Sequence, residues 1–301
     1  MKHILTLSDK KYLPFALTMY ESLKKHSTDF KLHYLATDDE TYNWLKERQL
    51  ENVVVYRLDN MPKEDMDYLR ANCPMVDENK QSPFHFALAP VFTNYAINHL
   101  KLPSVLYVDA DIFWYRDVQE VFNSAKCFDI GLVTHKHQGW DAKTGYFNVG
   151  IVYFDNSEDG SACVEFWKGV TIRKDHYWYE SHGTCGDQKY LELFPRMFPG
   201  SVKVFDIDIG HGAPWNFTRS KIKDGNITWN SEFVLMKGDV TQPLVFNHFS
   251  HFNLYSIHRK NDGFKVDHDG EWGNILPNEG VQDCYVKYYV AMMEAKRIYE
   301  V

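Results

Sequence analysis

Two carboxylates close an apolar run in Leu106-Tyr107-Val108-Asp109-Ala110-Asp111. An uncharged run of this kind reads as a strand buried in a parallel sheet. Such a strand ends at the sheet's carboxyl edge, where open α/β folds bind ligands. In extended backbone, side chains at i and i+2 point to one side, so Asp109 and Asp111 are expected side by side. Adjacent carboxylates repel unless a cation sits between them or a proton is shared. Oxygen ligands with open positions suit Mn2+ or Mg2+ carrying a substrate diphosphate, where the metal neutralises the leaving group's charge. Asp-x-Asp also occurs as an exposed acidic turn. The buried run in front of it favours the metal reading.

Other residues have comparable chemistry. His248 and His251 stand at i, i+3 in an aromatic segment. They read either as packed histidines or as a nitrogen ligand beside the carboxylates, a set that tolerates Mn2+ better than Mg2+. A zinc site built on histidine is disfavoured, since no Cys or Glu stands at ligand spacing. Asp187 and Gln188 follow Gly183-Thr184-Cys185-Gly186 and open a helical pattern, so Asp187 also reads as a plain N-cap. Phe147-Asn148-Val149-Gly150 reads as a turn before an apolar strand, with Asn148 bonding local backbone and Gly150 allowing close approach. Asp9 fits the start of a helix near Tyr12. Trp215, in Gly212-Ala213-Pro214-Trp215-Asn216, is either a buried loop residue or an aromatic platform for a ligand.

The elements that must position these groups follow from periodicity. Residues 3–7, 31–36 and 52–56 read as strands, alternating with helices near 13–23 and over 40–49. That β-α-β-α-β opening predicts an α/β fold with a right-handed, mostly parallel central sheet flanked by helices. Residues 60–83 are polar, contain Pro62, Pro74 and Pro83, and read as a loop region. A helix over 85–100 precedes the strand at 105–108. Strands are expected at 130–133, 150–154 and 202–205, and helices at 161–171 and 187–194. Residues 209–247, rich in Gly, Asn and Trp, have a substrate-loop composition, so the acceptor side is expected to be irregular. A tail helix over 281–299 carries an apolar stripe at Val281, Tyr285, Tyr288, Met292 and Tyr299. We expect one domain over 1–301: a nucleotide-binding half (1–125), a sugar and acceptor half (126–255) and a terminal loop and helix (256–301).

Composition bounds the partners. Lys and Arg total 33 against 41 for Asp and Glu, a net charge of −8 that argues against a nucleic-acid surface. Hydrophobic residues at 44% and charged residues at 25% exclude a disordered chain. The apolar run at the start is too short for a signal peptide, and no stretch is long and uncharged enough to span a bilayer. Five cysteines without a Cys-x-x-Cys pair predict free thiols and a cytoplasmic protein. At most it makes peripheral contact with the inner face of a membrane.

Taken in order, the motifs resemble those of nucleotide-sugar glycosyltransferases of the GT-A fold, especially the retaining glycosyltransferase family 8. The matching residues are Asp9 and Tyr12, the Asp109-Ala110-Asp111 strand end, Phe147-Asn148-Val149-Gly150, Asp187-Gln188 and His248, spread over roughly residues 3–255. The resemblance implies a Rossmann-like sheet and a nucleotide site at Thr6, Ser8, Asp9, Tyr12, Asp109 and Ala110. Asp9 would bond the uracil edge and Tyr12 would stack on the ring. It implies Mn2+ or Mg2+ on Asp109, Asp111 and His248, and catalytic roles for Asp187 and Gln188. Candidate sugar contacts are Asn148, Gly150, Asp187, Trp215 and Asn216. Two departures remove positive charge from the diphosphate side. The helix before the acidic strand reads Phe86-Ala87-Leu88-Ala89-Pro90, without a base, and no Gly-x-x-Lys-Pro-Trp follows His248. Arg219, Lys221, His251, Arg259 and Lys260 are the candidate replacements.

The expected function is transfer of a hexose from a nucleotide diphosphate, a UDP-sugar, to a saccharide or glycolipid acceptor with retention, within polysaccharide biosynthesis. A catalytically silent nucleotide-sugar-binding protein is the alternative. A sugar nucleotidyltransferase ranks lower, since Thr6-Leu7-Ser8-Asp9 lacks the glycine-rich phosphate loop it needs.

Overall fold

Ile4 and Leu5 face opposite sides of one strand, and each meets its own hydrophobic core. A computed structural model describes residues 1–73, 83–136, 145–172, 187–229, 239–252, 257–260, 263–266 and 279–301. The opening alternates as expected: β1 (Lys2–Ser8), α1 (Leu13–His26), β2 (Phe30–Ala36), α2 (Asp39–Arg48) and β3 (Val53–Arg57). Pro14 occupies the first turn of α1, where its missing N–H costs nothing. Asp38 caps α2 by accepting from Thr41 N at 2.8 Å.

The expected loop over 60–83 is corrected in part, because α3 (Lys63–Asn72) is a helix. Its residues are mostly charged, but Met66 and Leu69 share one buried face, which suffices to dock it. Residues 74–82, with Pro74, lie outside the described residues. The helix expected over 85–100 is α4 (Pro83–Asn94) followed by a π-helical turn, Tyr95–His99. Next come β4 (Ser104–Val108), β5 (Ile112–Trp114), α5 (Gln119–Ala125), β6 (Ile130–Thr134), β7 (Phe147–Asp155) and α6 (Glu158–Ile172). The helix expected over 187–194 is a 3-10 helix, Gln188–Leu193, running into the short α7 (Phe194–Met197).

With β8 (Val202–Val204), the central sheet has seven strands in the order β3-β2-β1-β4-β7-β6-β8. It is parallel except for β7, which runs antiparallel to both neighbours. Phe147 to Gly150, expected as a turn, belongs to β7, opposite an irregularity in pairing at Leu132 and Val133. One face of the sheet packs Ile4, Leu32, Leu106 and Val108 against α1; the other packs Leu5, Val105, Tyr107 and Val152 against α4 and α6.

The region expected to be irregular holds a second sheet. It comprises β9 (Gly210–Gly212), β10 (Ser220–Lys223), β11 (Asn226–Trp229) and β12 (Val240–His248), ordered β10-β11-β12-β5 with β9 beside β12. Residues 230–238 lie outside the described residues. β10 and β11 join through Asp224-Gly225 with φ of 51° and 74°, the Asp-Gly pair that a tight hairpin needs. A further hairpin pairs β13 (Ile257–Lys260) with β14 (Gly263–Val266). The last helix, α8 (Glu279–Tyr299), buries the expected stripe: Val281, Tyr285, Tyr288 and Met292 lie against Ile227, Trp229 and Phe249. Among the described residues no helix is long and apolar enough to cross a membrane. Cys73, Cys127, Cys163 and Cys284 are free, and Cys185 lies outside the described residues.

Candidate functional site

The acidic pair leaves the end of β4 in a tight turn. Asp109 N bonds Gly150 O on β7 at 3.0 Å, and Ile112 N returns to Asp109 O at 3.2 Å. The backbone is therefore bent at 109–112 and not extended as expected. The turn still converges the carboxylates. Immediately after it β5 begins, and β5 pairs antiparallel with the end of β12, placing His248 opposite Ile112. Phe249 N then bonds Asp111 O at 2.9 Å. A strand 136 positions later in the chain thus delivers His248 beside the acidic turn.

His248 Nε2 lies 3.0 Å from Asp111 Oδ1 and 3.7 Å from Asp109 Oδ2. One ligand atom from each of the three residues falls within 4.8 Å of the others, a group that can hold a metal ion. Two carboxylates and one imidazole fit a divalent cation with affinity for oxygen and nitrogen. The electrostatics agree. Burial pushes the Asp109 carboxyl up to about 6, and the Asp111 charge adds to this. Burial also acts upward on Asp111, but His248 outweighs it and holds Asp111 below its ordinary value. Burial lowers His248, yet Asp111 and Asp109 reverse the shift and leave it raised. A cation would relieve the repulsion that keeps the pair apart in charge.

Asn148 and Gly150 lie directly behind His248. Asn148 Oδ1 is 3.1 Å from His248 Nδ1, and Asn148 Nδ2 donates to Gln188 Oε1 at 3.0 Å. A methyl group on Gly150 would stand 2.5 Å from His248 Nδ1. Asp187 is buried, and its carboxyl is pushed well up, by burial first and by Asp109 second. It stands at the N-cap position of the 3-10 helix Gln188–Leu193, as expected, but its side chain makes no cap hydrogen bond. Its carbonyl oxygen accepts from Trp167 Nε1 at 3.0 Å.

Tyr12 is half exposed at the carboxyl end of β1. Burial and the charges of Asp111, Asp9 and Asp109 raise its phenol to about 12, so it stands near the acidic turn. Asp9 Oδ1 accepts from Tyr12 N at 2.9 Å, so Asp9 orders the turn before α1. Ser8 bonds Tyr34, and Thr6 and Ala110 are buried. Trp215 sets its ring edge-on to His248 with centroids 5.3 Å apart. Asn216 is fully buried with its amide spent on backbone: Nδ2 donates to His135 O at 3.1 Å and Oδ1 accepts from Ala213 N at 2.9 Å.

The seven-stranded order with its single reversed strand, and an acidic turn where β4 meets the second sheet, invite comparison with known folds. No family model matches the chain. The uncharacterized proteins YfnF and YfnD of Bacillus subtilis are 27% and 26% identical to it, each over 84% of this chain and over 82% and 78% of their own lengths. Among solved structures, the galactosyltransferase LgtC in complex with donor and acceptor sugar analogs superposes with a TM-score of 0.57, covering 99% of both chains at 14% identity. Mouse xyloside xylosyltransferase 1 superposes with a TM-score of 0.53, covering 83% of this chain and 98% of its own at 15% identity.

The chain has the GT-A fold. In this GT-A sheet the acidic turn sits at the carboxyl edge of β4, beside that of β1.

Sequence reasoning missed several supporting residues. Tyr107 donates to Asp109 Oδ1 at 3.0 Å, and it was legible only as an apolar strand residue. His135 reaches Asn148 Nδ2 at 3.2 Å from the end of β6, a neighbour that no spacing announces. Among the described candidate replacement bases, the charge of His251 acts to lower Asp111. Arg219 is buried and Lys221 exposed on β10. Arg259 and Lys260 lie on β13, whose side chains are outside the described residues.

Proposed function

We propose that the chain is a divalent-cation-dependent glycosyltransferase that moves a hexose from a UDP-sugar to a hydroxyl of a saccharide or glycolipid, with retention. The observation that carries this reading is the meeting of Asp109, Asp111 and His248 at the carboxyl edge of a GT-A sheet. Mn2+ or Mg2+ held there would neutralise charge on the departing diphosphate. The chain's own residues do the rest. Asp9 and Tyr12 hold the base at the end of β1. Asp187, buried and inclined to keep its proton, binds sugar hydroxyls. Gln188 borders the sugar through its amide, whose oxygen is turned toward Asn148 and Val149. His251, which interacts with Asp111, lines the diphosphate side in place of the bases missing from 86–90. Trp215 faces the acceptor. Holding donor and acceptor together lowers the barrier by positioning, and retention follows either from same-face attack assisted by the leaving diphosphate or from a carboxylate nucleophile.

The test is a panel of UDP-hexoses incubated with the protein, with and without Mn2+, scoring UDP release and product anomer by NMR. We expect Mn2+-dependent turnover of one donor, with the α configuration kept and activity lost in Asp111→Asn. Turnover that ignores both the metal and Asp111→Asn contradicts the reading. The absence of any base in Phe86-Ala87-Leu88-Ala89-Pro90 favours a second reading, a silent nucleotide-sugar-binding protein. Donor binding without UDP release selects it.

A further inference from the structure

A neutral imidazole offers a lone pair at one ring nitrogen, and the hydrogen bond at the other decides which. His248 faces an acceptor at each nitrogen, Asp111 Oδ1 at 3.0 Å from Nε2 and Asn148 Oδ1 at 3.1 Å from Nδ1, so once a cation takes the place of a proton at Nε2 the decision rests with Asn148. Gly150 N lies 2.9 Å from Asn148 Oδ1. A backbone N–H can only donate, so the amide atom facing it is the oxygen and not the nitrogen. The same oxygen lies 3.1 Å from His248 Nδ1, so Nδ1 carries the proton and donates. The far end of the amide agrees. Asn148 Nδ2 lies 3.0 Å from Gln188 Oε1, which also accepts from Val149 N at 3.2 Å. It lies 3.2 Å from His135 Nε2, and His135 Nδ1 faces the Gly145 carbonyl at 2.9 Å. A carbonyl only accepts, so His135 is protonated on Nδ1 and its Nε2 accepts from Asn148. Turning the Asn148 amide over would set two donors against each other at Gly150.

We infer that Asn148 is a positioning residue: its carbonyl oxygen holds His248 as the Nδ1–H tautomer, so that Nε2 presents its lone pair to a cation shared with Asp109 and Asp111. This rests on the metal-dependent reading of the site. It gives Asn148 a role other than the expected sugar contact, since its oxygen and both amide protons already have partners inside the protein. Gly150 is part of the device. A methyl group there would stand 2.6 Å from Asn148 Oδ1 and 2.5 Å from His248 Nδ1, so the close approach needs glycine.

The test uses Asn148→Leu, which fills the space without an acceptor, and Asn148→Asp, which keeps the oxygen. Asp111 Oδ1 stands 3.0 Å from Nε2 and would hold a proton there without a cation, so side-chain 15N spectra are read at half-saturating Mg2+, where they report the proton on Nδ1, and Mn2+ titration followed by electron paramagnetic resonance reports affinity. We expect His248 on Nδ1–H in the wild type and in Asn148→Asp. In Asn148→Leu we expect a mixture of tautomers and an Mn2+ Kd raised about 10–100-fold. An undiminished Nδ1–H signal in Asn148→Leu overturns the inference, as does an Mn2+ affinity there equal to the wild type's. If Asn148→Leu fails to fold, the wild-type spectrum decides, and an Nδ1 without a proton overturns it. A wild type that shows Nδ1–H but binds no Mn2+ defeats the metal reading and leaves the tautomer assignment standing.

Discussion

Tyr107 donates its phenolic proton to Asp109 Oδ1 at 3.0 Å, and the other carboxylate oxygen then faces His248 Nε2 at 3.7 Å. The tyrosine sits on the last turn-ward stretch of β4 with its ring in the sheet's core, so the core fixes the orientation of the carboxylate. Tyr107→Phe keeps the ring and removes the bond. We predict a stability loss of about 1 kcal/mol and an Mn2+ Kd raised roughly 10-fold, read by thermal melting and calorimetric titration. An unchanged Kd would show that Asp109 is oriented by other contacts.

Gly150→Ala places a methyl group against His248 and Asn148 together. Overpacking of this kind costs about 1–3 kcal/mol. The variant is predicted to melt lower and to bind Mn2+ weakly, because the imidazole must leave its position. Wild-type Mn2+ affinity in a folded Gly150→Ala would show that the ring can shift without losing its place in the site.

His33 lies buried between His3 and Tyr56, 3.0 Å from each, and burial lowers it from 6.5 to about 4. Unfolded, it takes up a proton near pH 6.5; folded, it waits until about pH 4. Between those values the unfolded chain binds more protons, so this contribution is complete above pH 6.5 and is lost as the pH falls toward 4. The effect is on the order of 3 kcal/mol. Melting curves across that range should show a shallower pH dependence in His33→Gln than in the wild type. Equal slopes would assign the acid sensitivity to other groups.

The structure explains which parts of this fold were readable. Ile4, Leu32 and Leu106 lie in runs whose apolar character survives without context, so the parallel sheet and its helices were legible. The second sheet was not. Its decisive contact joins Ile112 to His248, and nothing local in either segment signals the pairing. The helix Lys63–Asn72 escaped because two buried residues, Met66 and Leu69, anchor an otherwise charged surface. In the site, the ligand-type residues stood out by chemistry. Tyr107 and His135 did not, because their roles depend on neighbours across the sheet. Asn148 reads in the sequence as bonding local backbone, and it does accept from Gly150 N, but inside strand β7 and not in a turn, and its contact with His248 comes from a strand distant in sequence.

Lys168 on α6 is held by Asp65 on α3 at 3.1 Å, with both side chains largely buried, while Glu165 at 3.0 Å is half exposed. Removing one member of a buried pair costs about 3–5 kcal/mol when the other charge is left uncompensated, and Glu165 offsets part of that for Lys168. Asp65→Ala is therefore predicted to destabilise strongly, and Glu165→Gln by about 1 kcal/mol or less. Denaturant unfolding of the two variants separates the cases. Equal losses would contradict the division of the pair by burial.

The direct measurement of the central claim is calorimetric titration of Mn2+ into the wild type and into Asp111→Asn, each with UDP present and absent. The account predicts one Mn2+ site in the wild type, tightened by UDP, and loss of that site in an Asp111→Asn protein that melts near the wild-type temperature. Equal Mn2+ binding by the two proteins, or UDP binding that is indifferent to Mn2+, would contradict it.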